Sequence, residues 1–183
     1  MTIGITAGLW LLVVVGALGA FDTLYYHEYR ARLPAGGAQS RPELVLHATR
    51  DFVYTVLFAT LSTWQWGGAL VAVLLVLIAG ELVITLADFA VEDRVRIPLG
   101  GVFPGERATH TVMALVYGAA LGQLVPVFLA DMSAPTGFWP RALPATLTIV
   151  LRLLAAGVFV SGVRDAYAAA RGAEGGWPWP PWR

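Results

Sequence analysis

The chain has 183 residues, of which 57% are hydrophobic and only 13% charged, and its mean hydropathy is +0.68. About a quarter of the residues in a soluble domain are charged, so this composition excludes an ordinary soluble fold and points to a membrane domain. Formal net charge is zero, every basic residue is Arg and none is Lys, and cysteine is absent. That excludes a lysine-rich nucleic-acid surface, disulfides, thiolate zinc sites, iron–sulfur clusters and covalent haem attachment.

A bilayer core needs about 20 mostly apolar helical residues. Five stretches qualify. The first runs from Ile3 to Tyr26; it lacks a basic leader and continues into a polar helical segment, so it is read as a retained span and not a cleaved signal. The second runs from Glu43 to Thr63 and the third from Gly67 to Val91, separated by Trp64-Gln65-Trp66, a corner suited to an interfacial aromatic belt. The fourth runs from Thr109 to Leu129, with Pro126 expected to kink it, and the fifth from Pro144 to Ala169. The expectation is an all-α integral membrane protein: a bundle of five transmembrane helices over residues 1–172, followed by a Trp/Pro-rich cytoplasmic tail at 173–183 that lies at the headgroups or docks on a partner.

Loop charge sets orientation, because Arg is enriched on the cytoplasmic side of short loops. Arg30, Arg32, Arg41, Arg94, Arg96, Arg107, Arg171 and Arg183 fall on one side and Arg141 on the other, which predicts the amino terminus outside and the carboxyl terminus in the cytoplasm, in a bacterial inner (cytoplasmic) membrane.

Ionisable residues in the spans need a reason, since one at the centre of a membrane helix costs about 2.5–3.5 kcal/mol on the milder insertion scale. All three histidines fall at the predicted cytoplasmic edge: His27 leaving the first span, His47 entering the second and His110 entering the fourth. His47 and Asp51 are four apart, on one helix face about 6 Å apart along the axis. Glu106 and His110 have the same separation if the fourth helix starts early enough to include Glu106. In the third span Glu81, Asp88 and Glu92 form an acidic stripe, each within about 20° of one line. Glu81 lies about 10 Å deeper than Asp88. It is expected to bind a head group, relay protons, or pair with Arg152. Tyr117 continues the Glu106–His110 face.

Imidazoles and carboxylates without thiolates suit iron, with manganese or zinc as alternatives. The candidate ligands are His27, Glu28, His47, Asp51, Asp88, Glu92, Glu106 and His110. Arg50, Glu81, Arg107 and Tyr117 are the candidate catalytic groups. Glu43, Asp93 and Asp165 are assigned to a salt-bridged edge, and the competing reading of the whole cluster is such an edge, with Arg50, Arg94, Arg96 and Arg107 pairing the acids and snorkelling to the headgroups. The inventory is comparable to that of four-helix di-iron proteins, although the spacings are His-x-x-x-Asp and Glu-x-x-x-His instead of Glu-x-x-His.

One motif competes. Ser40-Arg41, five residues, His47, three residues and Asp51 resemble the last signature of the type 2 phosphatidic acid phosphatase family. That resemblance implies a lipid phosphatase in which Arg41 binds phosphate and His47, oriented by Asp51, is the nucleophile. The family's Lys-containing and Pro-Ser-Gly-His signatures do not precede it. Haem held by His47 and His110 is a further alternative.

The functional expectation is therefore a membrane-embedded metalloprotein, with one or two non-haem iron ions, acting as an oxidoreductase on a lipidic or quinone-like substrate. The competing class is a non-enzymatic membrane subunit whose salt-bridged polar edge docks a cytoplasmic protein. Besides the bilayer and a hydrophobic small molecule, the expected partners are such a protein or a second copy of the chain, and no nucleic acid.

Overall fold

The apolar stretches fold as five helices in the computed structural model, which describes residues 2–171. The Trp/Pro tail at 173–183 lies outside the described residues. Helix α1 (Thr2–Phe21) continues without a break into a wider helical segment, Asp22–Arg30; α2 spans Arg41–Leu61, α3 Ala69–Arg96, α4 Pro104–Asp131 and α5 Ala145–Arg171. Among the described residues, these five helices are long and apolar enough to cross a membrane. α4 runs on through Pro126, and its early start includes Glu106 as the helix–face pairing with His110 requires. Pro104 suits the first turn, where its missing N–H would have no partner, and the Phe103 N–H donates to Glu106 Oε2 at 3.3 Å.

The helices alternate in direction. Glu43 at the start of α2, Arg96 at the end of α3 and Glu106 at the start of α4 meet at one end of the bundle. At the other end, two short strands depart from the expected purely helical fold. β1 (Trp64–Gly67) pairs antiparallel with β2 (Gly137–Pro140), Trp64 opposite Pro140 and Gly67 opposite Gly137. The Trp-Gln-Trp corner thus becomes a strand, and Asp131 anchors it by accepting from Gln65 Nε2 at 2.9 Å and from Arg141 at 3.3 Å. Gly68, which follows β1, has φ of +58°, and a Cβ there would stand 2.4 Å from Thr136 Oγ1 and 2.7 Å from the Thr136 backbone. Gly68→Ala is therefore expected to destabilise the fold by about 2–3 kcal/mol, seen as a lower thermal midpoint in detergent.

α1 packs on α4 and α2 on α5. Gly8 permits the first contact, since a Cβ there would lie 2.6 Å from the Leu124 side chain. Leu9, Phe58, Leu74, Leu124, Phe128 and Leu151 fill the middle of the bundle. The outward faces are equally apolar: Val76 is 70% exposed, Leu86 67% and Leu115 71%. Such a surface needs a nonpolar covering.

Candidate metal centre

The end of the bundle where α1 finishes and α2 starts collects polar groups from all five helices. The widened segment Asp22–Arg30 makes the first contribution. Its winding is that of a π-helix, with Ala31 N–H donating to Tyr26 O at 2.7 Å, five residues back. In an α-helix residues five apart point about 140° away from each other, whereas the wider i→i+5 winding brings them to within about 50°. Asp22 and His27 therefore share a face. His27 Nε2 lies 3.2 Å from Asp22 Oδ2, and both side chains are buried.

The other two histidines converge on the same spot. His110 Nε2, from α4, lies 2.9 Å from the same Asp22 oxygen, so two imidazole nitrogens face one carboxylate oxygen. His47, from α2, stacks its ring on that of His27 with centroids 4.6 Å apart and planes 6° from parallel. Its Nε2 lies 3.2 Å from Asp88 Oδ2 and 3.8 Å from Glu43 Oε1, and its Nδ1 3.7 Å from Asp165 Oδ2. Glu106 Oε1 lies 3.3 Å from His27 Nε2, and Glu92 Oε2 lies 3.7 Å from His110 Nδ1.

Three groups among the described residues hold ligand atoms that all lie within 4.8 Å of one another and could bind a metal ion: Asp22, His27 and His110; His27, Glu43 and His47; and Glu92, Glu106 and His110. His27 belongs to two of them, as does His110. One imidazole nitrogen binds one ion, so the two groups without a common residue, His27–Glu43–His47 and Glu92–Glu106–His110, are the pair that could hold two ions at once.

Hydrogen bonding inside the protein leaves this donor set incomplete. Asp22 Oδ1, Asp88 Oδ1, Glu92 Oε1 and His27 Nε2 are buried without a hydrogen-bond partner. Buried polar atoms are nearly always satisfied, and the three carboxylate oxygens without a donated proton suit a cation; His27 Nε2, 3.2 Å from Asp22 and 3.3 Å from Glu106, can serve them as an N–H donor or bind a metal. Charge argues in the same direction. Asp22, Glu43, Asp88, Glu92 and Glu106 face two guanidinium groups. Arg50 Nη1 reaches Asp88 Oδ2 at 3.1 Å, and the fully buried Arg96 spans Glu43 and Glu106 at 2.9 and 2.8 Å.

A cavity of about 500 Å³ adjoins the cluster. Asp22, Arg50, Asp51 and His110 form its polar end; Val15, Leu154 and Val158 are among the apolar side chains along its wall, and Glu81, Tyr54 and Tyr117 form a second polar group farther along. Leu24 and Leu153 at its rim are 65% and 67% exposed, so it opens on the apolar outer surface. A separate cleft of about 450 Å³, lined by Glu92, Asp93 and Arg107, reaches His110 from another side.

Against the sequence expectations, His27, His47, His110, Asp88, Glu92 and Glu106 lie within the cluster. Glu28 points elsewhere and pairs with Arg164 of α5. Asp51 lines the cavity, and the carboxylates against His47 are Asp88, Glu43 and Asp165 instead. Arg41 is exposed, so the phosphatase-like arrangement of Arg41, His47 and Asp51 is not the one observed. Arg107 is exposed and pairs with Asp93 at 2.9 Å. Arg152 donates to Thr63 at 3.1 Å near the strand end of the bundle and is no partner of Glu81. Sequence reading missed Asp22, whose alignment with His27 needs the π winding. Glu43 and Asp165, assigned to a salt-bridged edge, do pair with arginines, Arg96 and Arg164, but the structure also buries both beside His47. Arg96, expected to pair the acids and snorkel to the headgroups, does pair with Glu43 and Glu106 but is enclosed. Comparison with protein-family models, curated proteins and solved structures finds no match, and the functional reading accordingly rests on this geometry.

Proposed function

We propose that the chain is a membrane-embedded metalloprotein whose histidine–carboxylate cluster holds one or two non-haem iron ions and acts as an oxidoreductase on a lipidic or quinone-like substrate. The observation that carries this reading is the convergence of His27, His47 and His110 on buried carboxylates whose remaining lone pairs lack a donor, beside a cavity that opens on the apolar surface. Mixed nitrogen and oxygen ligands without sulfur suit iron, with manganese or zinc as alternatives. Two such ions, when bound as iron(III), would supply a two-electron acceptor for a quinol, each becoming iron(II), with the quinol's two protons passing to carboxylates of the cluster. The chain's own part is to hold the ligands in place through Arg96 and Arg50, to exclude bulk water, and to offer carboxylates as proton acceptors. The apolar helix faces favour a bilayer around the bundle, and the Arg distribution favours the cluster at its cytoplasmic edge.

Elemental analysis of detergent-purified protein after metal-replete expression is expected to give one to two iron ions per chain. Less than a tenth of an ion per chain of iron, manganese and zinc together would remove the metalloprotein reading. In that case the second reading, a non-enzymatic subunit with an internally paired polar end, is supported by the Arg96 bridge between Glu43 and Glu106. Haem is disfavoured because both His47 nitrogens face carboxylates, Nε2 at 3.2 Å from Asp88 and Nδ1 at 3.7 Å from Asp165, and the absorption spectrum is expected to lack a Soret band.

A further inference from the structure

Within the cavity, the group around Glu81 stands apart from the metal cluster. Tyr54 Oη donates to Glu81 Oε1 at 3.1 Å and Thr85 Oγ1 donates to the same oxygen at 2.8 Å. Both protein donors therefore crowd one side of the carboxyl. The other oxygen, Oε2, is buried without a well-formed hydrogen bond; the Tyr117 hydroxyl, likewise buried without one, stands against both Glu81 and Tyr54. Glu81 is 1% exposed and Tyr117 7%, and both line the cavity. Together they present an acceptor and a neighbouring hydroxyl, neither in a well-formed hydrogen bond, at the wall of a mostly apolar space.

We infer that this pair binds the hydroxyl of an otherwise apolar ligand, such as a long-chain or isoprenoid alcohol or a quinol. One hydroxyl satisfies both atoms: its O–H donates to Glu81 Oε2 and its oxygen accepts from Tyr117. An alkane satisfies neither, and an ether oxygen satisfies only Tyr117. Seven residues separate Glu81 from Asp88 on α3, placing the hydroxyl about 10 Å along the helix from the metal cluster. The hydroxyl therefore fixes the ligand's position, and a remote part of the molecule reaches Asp22 and His110 at the other end. That the ligand is a substrate rests on the proposed function; that it binds here does not.

The test is titration of metal-free protein in phospholipid nanodiscs with 1-decanol and with decyl methyl ether, empty nanodiscs providing the partition correction. The expected result is one saturable site that prefers the alcohol at least tenfold, as a buried acceptor discriminates against a ligand lacking the proton. Glu81→Leu is expected to abolish the preference. Tyr117→Phe, which removes one hydroxyl without touching the carboxyl, is expected to weaken both ligands by about tenfold. Gly157→Leu supplies an independent check: a Cβ at this cavity-lining position meets nothing within 4 Å, so the larger side chain is expected to fill the space and abolish binding with both polar groups intact. Equal affinity for alcohol and ether in the wild-type protein, the result expected if water occupies the pair, overturns the inference, as does undiminished binding in Gly157→Leu. Because the titration uses metal-free protein, its failure leaves the metal content of the wild-type chain as a separate result.

Discussion

If the wild-type chain holds two ions, His27→Ala is expected to lower the metal content to at most one, and in either case to cost at least 100-fold in affinity at the sites it leaves incomplete. The reason is its position in the ligand set. Removing His27 breaks both the group with Asp22 and His110 and the group with Glu43 and His47, leaving Glu92, Glu106 and His110. His110→Ala is the mirror case, leaving only the group of His27, Glu43 and His47. His47→Ala breaks one group and is expected to cost the least. The double substitution of His27 and His110 leaves no complete group among these and is expected to bind no metal. Metal content by elemental analysis and affinity by competition with a chelator check the order. Unchanged content in all three single variants would show that the histidines are not the ligands.

Arg96→Met is expected to destabilise the metal-free protein by about 3–5 kcal/mol, the usual consequence of removing one partner from a buried ion pair. Arg96 Nε donates to both oxygens of Glu43 at 2.9 and 3.1 Å, and Nη2 donates to Glu106 Oε1 at 2.8 Å. Its loss leaves two carboxylates, 1% and 0% exposed, with no compensating cation. For a chain of this size the shift corresponds to a fall in thermal midpoint of roughly 10 °C in detergent. Adding Glu43→Gln to Arg96→Met is expected to recover part of the loss, because one of the uncompensated charges is gone. Metal-replete protein is expected to suffer less than metal-free protein, since bound cations offset the same carboxylates. Arg96→Met with an unshifted midpoint would mean that the two carboxyls are neutral in the fold.

The five spans were legible because hydrophobic length is a local property, and the level of the three histidines followed from span topology. The rest was set by winding and by lateral packing. The i, i+4 rule that pairs His47 with Asp51 is sound on one helix, but the carboxylates that reach His47 come from elsewhere: Asp88 from α3 and Asp165 from α5, together with Glu43 one turn earlier on α2. Glu28 follows His27 directly, yet Arg164 on a distant helix holds it away from the cluster. Arg96 illustrates the limit of reading charge at a span end. Position alone suggests a side chain reaching toward water; two carboxylates from α2 and α4 determine that it turns inward. The strand pair was hidden for a different reason, since four-residue strands joining helix ends carry too short an alternation to stand out.

The π-wound segment has a consequence for which changes this protein can tolerate. Asp22 and His27 meet because of how many residues fill each turn between them, so the spacing is as much a determinant of the centre as either side chain. Conservative replacement of Thr23 or Leu24 leaves that count intact. Insertion of a single residue between Asp22 and His27 would set them six apart, about 120° round an α-helix, and turn His27 away from Asp22 while every ligand remained in the sequence; deletion of one would set them four apart, which ordinary α winding keeps on one face. In this stretch, added length is under tighter constraint than residue identity.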